Sequence, residues 1–275
     1  MSDSCGFIAL SHSPAPQRII LAFRGTYSLA NTIADLSTIP QEYVPYPGSD
    51  GPSDGGDGDN HEPVSAPKCN NCTVHTGFYT SWANTRELVL PLVLKAHDEY
   101  PDYAITVVGH SLGGAVAAFA GLELVARGVH PTVTTFGEPR IGNANMAEYL
   151  DERFNLSADS HTAPDHRPYR RVTHVGDPVP LLPLDEWGYE PHGGEIFISK
   201  WELPPEVEDI RHCEGAADAT CVAEPEKGFW AIPARFKLWQ LFFAHRDYFW
   251  RLGLCIPTID GWWPGSGEQE VEFEL

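Results

Sequence analysis

The 275-residue chain carries 38 acidic against 18 basic side chains, a formal charge of -20 at pH 7. That balance repels nucleic-acid phosphates and anionic lipid, which excludes partners of either kind held by charge and leaves neutral substrates open. With 42% hydrophobic residues the chain can bury a sizeable core, and at this length one α/β domain is the expectation.

In chain order, the opening MSDSCGFIAL lacks the basic start and apolar core of a signal peptide. Nowhere does an apolar run approach the ~18–20 residues that a membrane span needs. The apolar run 18–23 (RIILAF) predicts a strand. Residues 46–67, containing GSDGPSDGGDGDN, are too polar to join a core and predict a surface loop; the spacing of Asp54, Asp57 and Asp59 fails the calcium-loop pattern, so the loop is read as solvated and acidic. Cys69 and Cys72 follow. A zinc site there would need two further ligands; His61 and His75 lie near, but no second Cys or His pair stands at zinc-finger spacing, and a short disulfide is the better reading. Helical spacing over 87–100, a strand at 104–108, a helix at 114–127 and strands at 132–136, 169–175 and 195–201 complete an alternation that predicts an α/β sheet with helices on its faces. The last residues, GSGEQEVEFEL, form an acidic tail. Six cysteines, with Cys69/Cys72 and Cys213/Cys221 as close pairs, point to an oxidising compartment and hence to secretion, the signal peptide being absent from this chain. The triplets Asn71-Cys72-Thr73 and Asn155-Leu156-Ser157 are glycosylation sequons compatible with that.

Chemistry concentrates at Gly109-His110-Ser111-Leu112-Gly113, which fits G-x-S-x-G between a predicted strand and a small-residue helix. Flanking glycines make room for a strained serine backbone that lifts the hydroxyl above the sheet, and the helix N-terminus favours the negative charge of an acyl-transfer intermediate. Ser111 is therefore the candidate nucleophile. It needs a base and an acid, in chain order serine, acid, histidine. Asp177 is the best acid, because Gly176 and Pro178 end a strand around it, whereas Asp151, Asp159 and Asp165 lie in polar, unpatterned sequence where solvation is expected. Only His192, His212 and His245 then follow. His245, within FFAHRDYFW, has surroundings that exclude water and ranks above His192 in PHGG and His212 beside Cys213. Oxyanion donors are expected from the N–H of Leu112 and from the N–H of Thr26, assisted by its hydroxyl, after the glycine turn of FRGT.

These residues, with the segments LAFRGT (21–26), CNNCTVHTGFYTSW (69–82), PDYAITVVGHSLGGAVAAFAG (101–121), FGEPRIGN (136–143), RVTHVGDPVPLLP (171–183), GYEPHGGEIF (188–197) and AHRDYFWRLGLC (244–255), resemble the fungal class 3 lipase family of α/β-hydrolases, which also contains feruloyl esterases. The resemblance implies an α/β-hydrolase domain over 1–255, with the acidic loop at 46–67 as an insertion and 256–275 as a tail. It implies Ser111 as nucleophile, Asp177 as acid, His245 as base, and Thr26 and Leu112 as oxyanion donors; His192 then lies near the site without being the base. It implies disulfides Cys69–Cys72 and Cys213–Cys221, and leaves Cys5 and Cys255 without an assigned partner. In this family the segment after the FRG turn is a lid; here Leu29, Ile33 and Leu36, at i, i+4 and i+7, form an apolar helical face of the lipase kind. The implied activity is a secreted lipase that cleaves acylglycerols or other fatty esters in lipid catabolism, at a lipid–water interface and without metal or organic cofactor. The alternatives are a feruloyl-type esterase, toward which CNNC, PDYA and FGEPR lean, and a short-chain esterase or an inactive binding relative.

Overall fold

The computed structural model describes residues 5–25, 40–46, 68–156, 166–216, 218, 220–221 and 244–252. Its elements are β1 (Cys5–Ser11), β2 (Arg18–Arg24), β3 (Pro40–Glu42), β4 (Thr73–His75), α1 (Thr76–Glu99), β5 (Ala104–His110), α2 (Leu112–Ala126), β6 (Thr132–Phe136), α3 (Ala144–Phe154), β7 (Tyr169–His174), β8 (Glu195–Ile198) and β9 (Ile210–His212). Seven strands form one sheet in the order β1-β2-β5-β6-β7-β8-β9, and β3 pairs with β4 beside it. β2, β5, β6, β7 and β8 are parallel; β1 and β9 close the two edges in antiparallel register. The acidic loop at 47–67 and the tail at 256–275 lie outside the described residues.

The five parallel strands fall on the five segments predicted as strands, at 18–23, 104–108, 132–136, 169–175 and 195–201. Parallel strands are covered on both faces, so they read as nearly continuous hydrophobic segments. In β2, β5 and β6 every second side chain, including Ile19, Leu21, Ile105, Val107 and Val133, is fully buried, and the alternate ones are mostly half-buried. At the two edges, Phe7 of β1 and the polar side chains of β9 are exposed.

The helices begin earlier than their apolar spacing suggests. α1 starts at Thr76 rather than 87, because His75 caps it: the Phe78 N–H donates to His75 Nδ1 at 3.2 Å. Phe78 and Trp82 of these added turns are buried in the core with Leu90 and Val93. α2 starts at Leu112, and every residue from Leu112 to Leu124 is buried. Its alanines and glycines let it lie close to β2, β5 and β6. α1 packs on α2, and α2 on α3, as one contiguous layer.

Between β7 and β8 an ion pair replaces apolar packing. Arg171 and Glu195 are register partners; the Arg171 guanidinium donates to Glu195 Oε2 at 2.9 Å and the Thr173 hydroxyl to Oε1 at 2.6 Å, all three residues being buried. Removing one member of such a pair leaves an uncompensated charge, which costs far more than the pair gains over an apolar substitute. Glu195→Ala is therefore expected to lower the unfolding free energy by about 3–5 kcal/mol, read as the midpoint shift in urea denaturation.

Candidate active site

Three neighbouring strands end where the candidate residues begin. β5 runs into Ser111, β6 into Gly137 and β7, through a turn, into Asp177, so all of them stand at the carboxyl edge of the sheet, where open α/β sheets bind ligands. Ser111 has φ 58° and ψ -130°, a left-handed conformation that a non-glycine residue adopts only under constraint. The constraint is visible on both sides. The Ser111 N–H donates to the Phe136 carbonyl at 2.9 Å, and the Ser111 carbonyl accepts from Gly114 and Ala115. A Cβ on Gly109 would stand 2.0 Å from the Gly113 carbonyl oxygen, and one on Gly113 would stand 2.5 Å from that of Phe23, so the elbow closes only with glycine at both places. The N–H of Leu112 is the first of α2 and has no intrahelical acceptor.

Asp177 is held by a tight turn: its N–H donates to the His174 carbonyl at 3.0 Å, and its Oδ1 accepts the Val179 N–H at 2.9 Å. His245 Nδ1 lies 3.0 and 2.9 Å from the two carboxylate oxygens, with both side chains fully buried. The Tyr248 hydroxyl donates to Oδ2. Burial alone would raise the Asp177 pKa; His245, the Tyr248 hydroxyl and the Val179 N–H outweigh it and hold the carboxyl below its ordinary value. Since a carboxylate only accepts, the proton on the His245 ring is assigned to Nδ1. Nε2 is buried and has no hydrogen-bond partner among the described residues, which is the lone pair a general base requires.

The competing residues are occupied elsewhere. His192 is buried, with Nε2 3.0 Å from Glu138 Oε1 and Nδ1 2.9 Å from the Gly193 carbonyl. His212 is an exposed residue of β9. Asp151 is not a solvated acid: it lies half-buried on α3 and accepts the Gly193 N–H at 2.7 Å, a long-range contact that its polar sequence neighbourhood conceals, and burial raises its pKa. Asp159 and Asp165 lie outside the described residues, as do Thr26, Leu29, Ile33, Leu36 and Cys255. Gly25, just before Thr26, packs on the serine: a Cβ there would stand 2.8 Å from Ser111 Cβ. Cys69 is bonded to Cys72, and Cys213 to Cys221.

Sequence reasoning missed several contributors. Tyr248, three residues past His245, carries no signal of its reach to Asp177. Glu138 of FGEPR is wholly buried and accepts from the Thr135 and Tyr169 hydroxyls at 2.6 and 2.8 Å, forming with His192 a polar brace behind the elbow. A Cβ on Gly114, in the first turn of α2, would meet Glu138 Cβ at 3.1 Å.

With this geometry, comparison with known proteins is decisive: residues 20–187 match the family described as lipase (class 3). The chain belongs to the class 3 lipase family. It is a carboxylic ester hydrolase of the lipase type and resembles lipase A of Sodiomyces alcalophilus, at 50% identity over 99% of this chain and 74% of that one. A secreted mono- and diacylglycerol lipase 2 of Gibberella zeae is likewise 50% identical, over 94% of this chain and 71% of its own. Among solved structures, the Lip2 lipase of Yarrowia lipolytica shares 31% identity with a TM-score of 0.72, covering 92% of this chain and 77% of that one. The α/β-hydrolase fold of these lipases is the fold of this chain.

Gly137, at φ 57°, is the floor of the Asp177–His245–Tyr248 cluster: a Cβ would stand 2.4 Å from the Tyr248 hydroxyl, 2.8 Å from His245 Cε1 and 2.9 Å from Asp177 Oδ2. Gly137→Ala is expected to displace all three groups at once and to lower kcat by ~100-fold or more, measured on a soluble ester.

Proposed function

We propose that this lipase hydrolyses acylglycerols through an acyl-enzyme on Ser111, with His245 as general base and Asp177 as the acid that orients it. The observation that carries the reading is the buried Asp177–His245 contact, which leaves Nε2 without a partner at the same sheet edge as the strained Ser111. The Ser111 hydroxyl proton passes to His245 Nε2 as Oγ attacks the ester carbonyl carbon. The N–H groups of Leu112 and Thr26, with the Thr26 hydroxyl, receive the oxyanion; Thr26 is assigned this part because it follows Gly25, which lies on the serine. His245 then delivers the proton to the departing glycerol oxygen, water repeats the attack on the acyl-enzyme, and the fatty acid leaves. Asp177 stays ionised throughout, compensating the imidazolium.

A lipid–water interface is the proposed place of work. Trp250 is 71% exposed, Trp201 52% and Phe249 37%. Trp201 lies over Gly176, next to Asp177, and Phe249 stands 6.5 Å from Phe136 at the end of β6. These aromatics, together with the apolar face of Leu29, Ile33 and Leu36 read as a lid, suit an uncharged lipid surface, and the charge of -20 disfavours an anionic one. The two disulfides and the secreted mono- and diacylglycerol lipase relative support an extracellular location. The proposed organisation is one catalytic domain over 1–255, with the acidic loop at 46–67 and the tail at 256–275 as appendages.

A substrate panel tests the reading. Tributyrin or olive-oil emulsions are expected to be turned over faster than methyl ferulate, and the reverse order would make the chain a feruloyl-type esterase. Ser111→Ala and His245→Ala are each expected to reduce kcat by on the order of 10⁴-fold or more. A His245→Ala enzyme that keeps its activity beside an inactive His192→Ala would transfer the base to His192.

A further inference from the structure

We propose that His110, the residue before the nucleophile, is a positioning residue for the base: its Nε2–H bond to the His245 carbonyl sets the spacing between Ser111 and His245. The inference rests on the roles proposed for those two residues. His110 ends β5 and is joined to Ser111 by one peptide bond. Its Nε2 lies 2.7 Å from the backbone carbonyl oxygen of His245, 135 residues away in sequence, and the two imidazoles face each other at 4.5 Å with a 35° tilt. A carbonyl can only accept, so Nε2 of His110 carries the proton and donates.

The reason this bond matters lies in how the segment 244–252 is held. Among the described residues it pairs with no strand of the sheet, and the backbone hydrogen bonds described for it close on itself: Asp247 to Ala244, Tyr248 to Trp250 and Leu252 to Arg246. Through its side chains it reaches Asp177, from His245 Nδ1 and from the Tyr248 hydroxyl. Those contacts fix the imidazole against the acid. The bond from His110 instead takes hold of the main chain of His245, and does so from the strand that delivers the serine. One rigid side chain thus spans nucleophile strand and base loop, and the proton-transfer distance between Ser111 and His245 depends on it.

A donor at this place must also be uncharged. His245 becomes cationic when it takes the serine proton, and a second cation 4.5 Å away would oppose that step. The groups facing His110 are His245, Asp177, Arg246 and Tyr248. Burial is the largest influence and, with His245 and Arg246 against Asp177 and the bond to the His245 carbonyl, pushes the His110 pKa down to about 4. The His110 ring is therefore neutral at neutral pH, which lysine or arginine would not be.

The test compares wild type, His110→Phe, His110→Gln and Ser111→Ala on p-nitrophenyl butyrate, with thermal melting of each. Phenylalanine fills the space without a donor; the glutamine amide nitrogen reaches the place of Nε2 and can donate. The expected result is a ~10–100-fold loss of kcat in His110→Phe with KM within about twofold, recovery of most of that loss in His110→Gln, and melting temperatures near wild type. A structural role would lower melting in step with activity and would not distinguish the two replacements by donor. Should His110→Phe fail to fold, His110→Met, also without a donor, takes its place. Wild-type kcat in the donor-free variant beside an inactive Ser111→Ala, or no recovery with glutamine, overturns the inference. An active Ser111→Ala overturns the catalytic roles instead.

Discussion

The strained backbone of Ser111 is the constraint from which the rest of the site follows. A serine at φ 58° is stable only where surrounding structure over-determines it, and here three strands and a helix do so: β5 delivers it, the β6 carbonyl of Phe136 takes its N–H, the first turn of α2 takes its carbonyl, and the turn after β2 lies against its Cβ. The glycines at 109 and 113 are what allow the approach, and the buried, small-residue helix α2 supplies both the rigidity and the positive end of a dipole where the proposed mechanism places negative charge. The Glu138 brace, filled by Thr135, Tyr169 and His192, supports the same turn from behind.

Around that fixed point the site separates histidines by what each ring nitrogen touches. His192 spends both nitrogens on acceptors, His110 donates to a backbone carbonyl, and His245 uses Nδ1 on Asp177 and keeps Nε2 free among the described residues. Four influences compete at Asp177, where burial opposes ionisation while His245, Tyr248 and Val179 favour it, and the second group wins. An ionised, buried carboxylate locks the tautomer of its histidine, which is the state in which that histidine accepts a proton. The overall acidity of the chain acts at longer range and bears on which surfaces the enzyme approaches rather than on the chemistry.

The parallel strands were legible as short strand-like runs alternating with helical segments, and the elbow because its glycines, serine and flanking elements are contiguous. Helix starts were less legible: the cap that begins α1 at Thr76 is a histidine, not one of the usual short polar caps, and the apolar spacing becomes regular only a few turns later. Of the edge strands, β1 carries the apolar run FIAL, whereas β9 is three residues long with two exposed polar side chains, too short to show a period. Site residues divided in the same way. Ser111, Asp177 and His245 have local signals, whereas the bonds from Tyr248 to Asp177, from His110 to His245 and from Gly193 to Asp151 join segments tens of residues or more apart, and no local pattern encodes them.

The central claim is that the serine held in this strained turn is the atom that carries the acyl group. Its most direct measurement is peptide mapping by mass spectrometry after a fluorophosphonate has inactivated the wild-type protein. The account predicts a single adduct on the peptide containing Ser111, accumulating in step with loss of ester hydrolysis. Inactivation with Ser111 unmodified, or full activity with Ser111 modified, would contradict it.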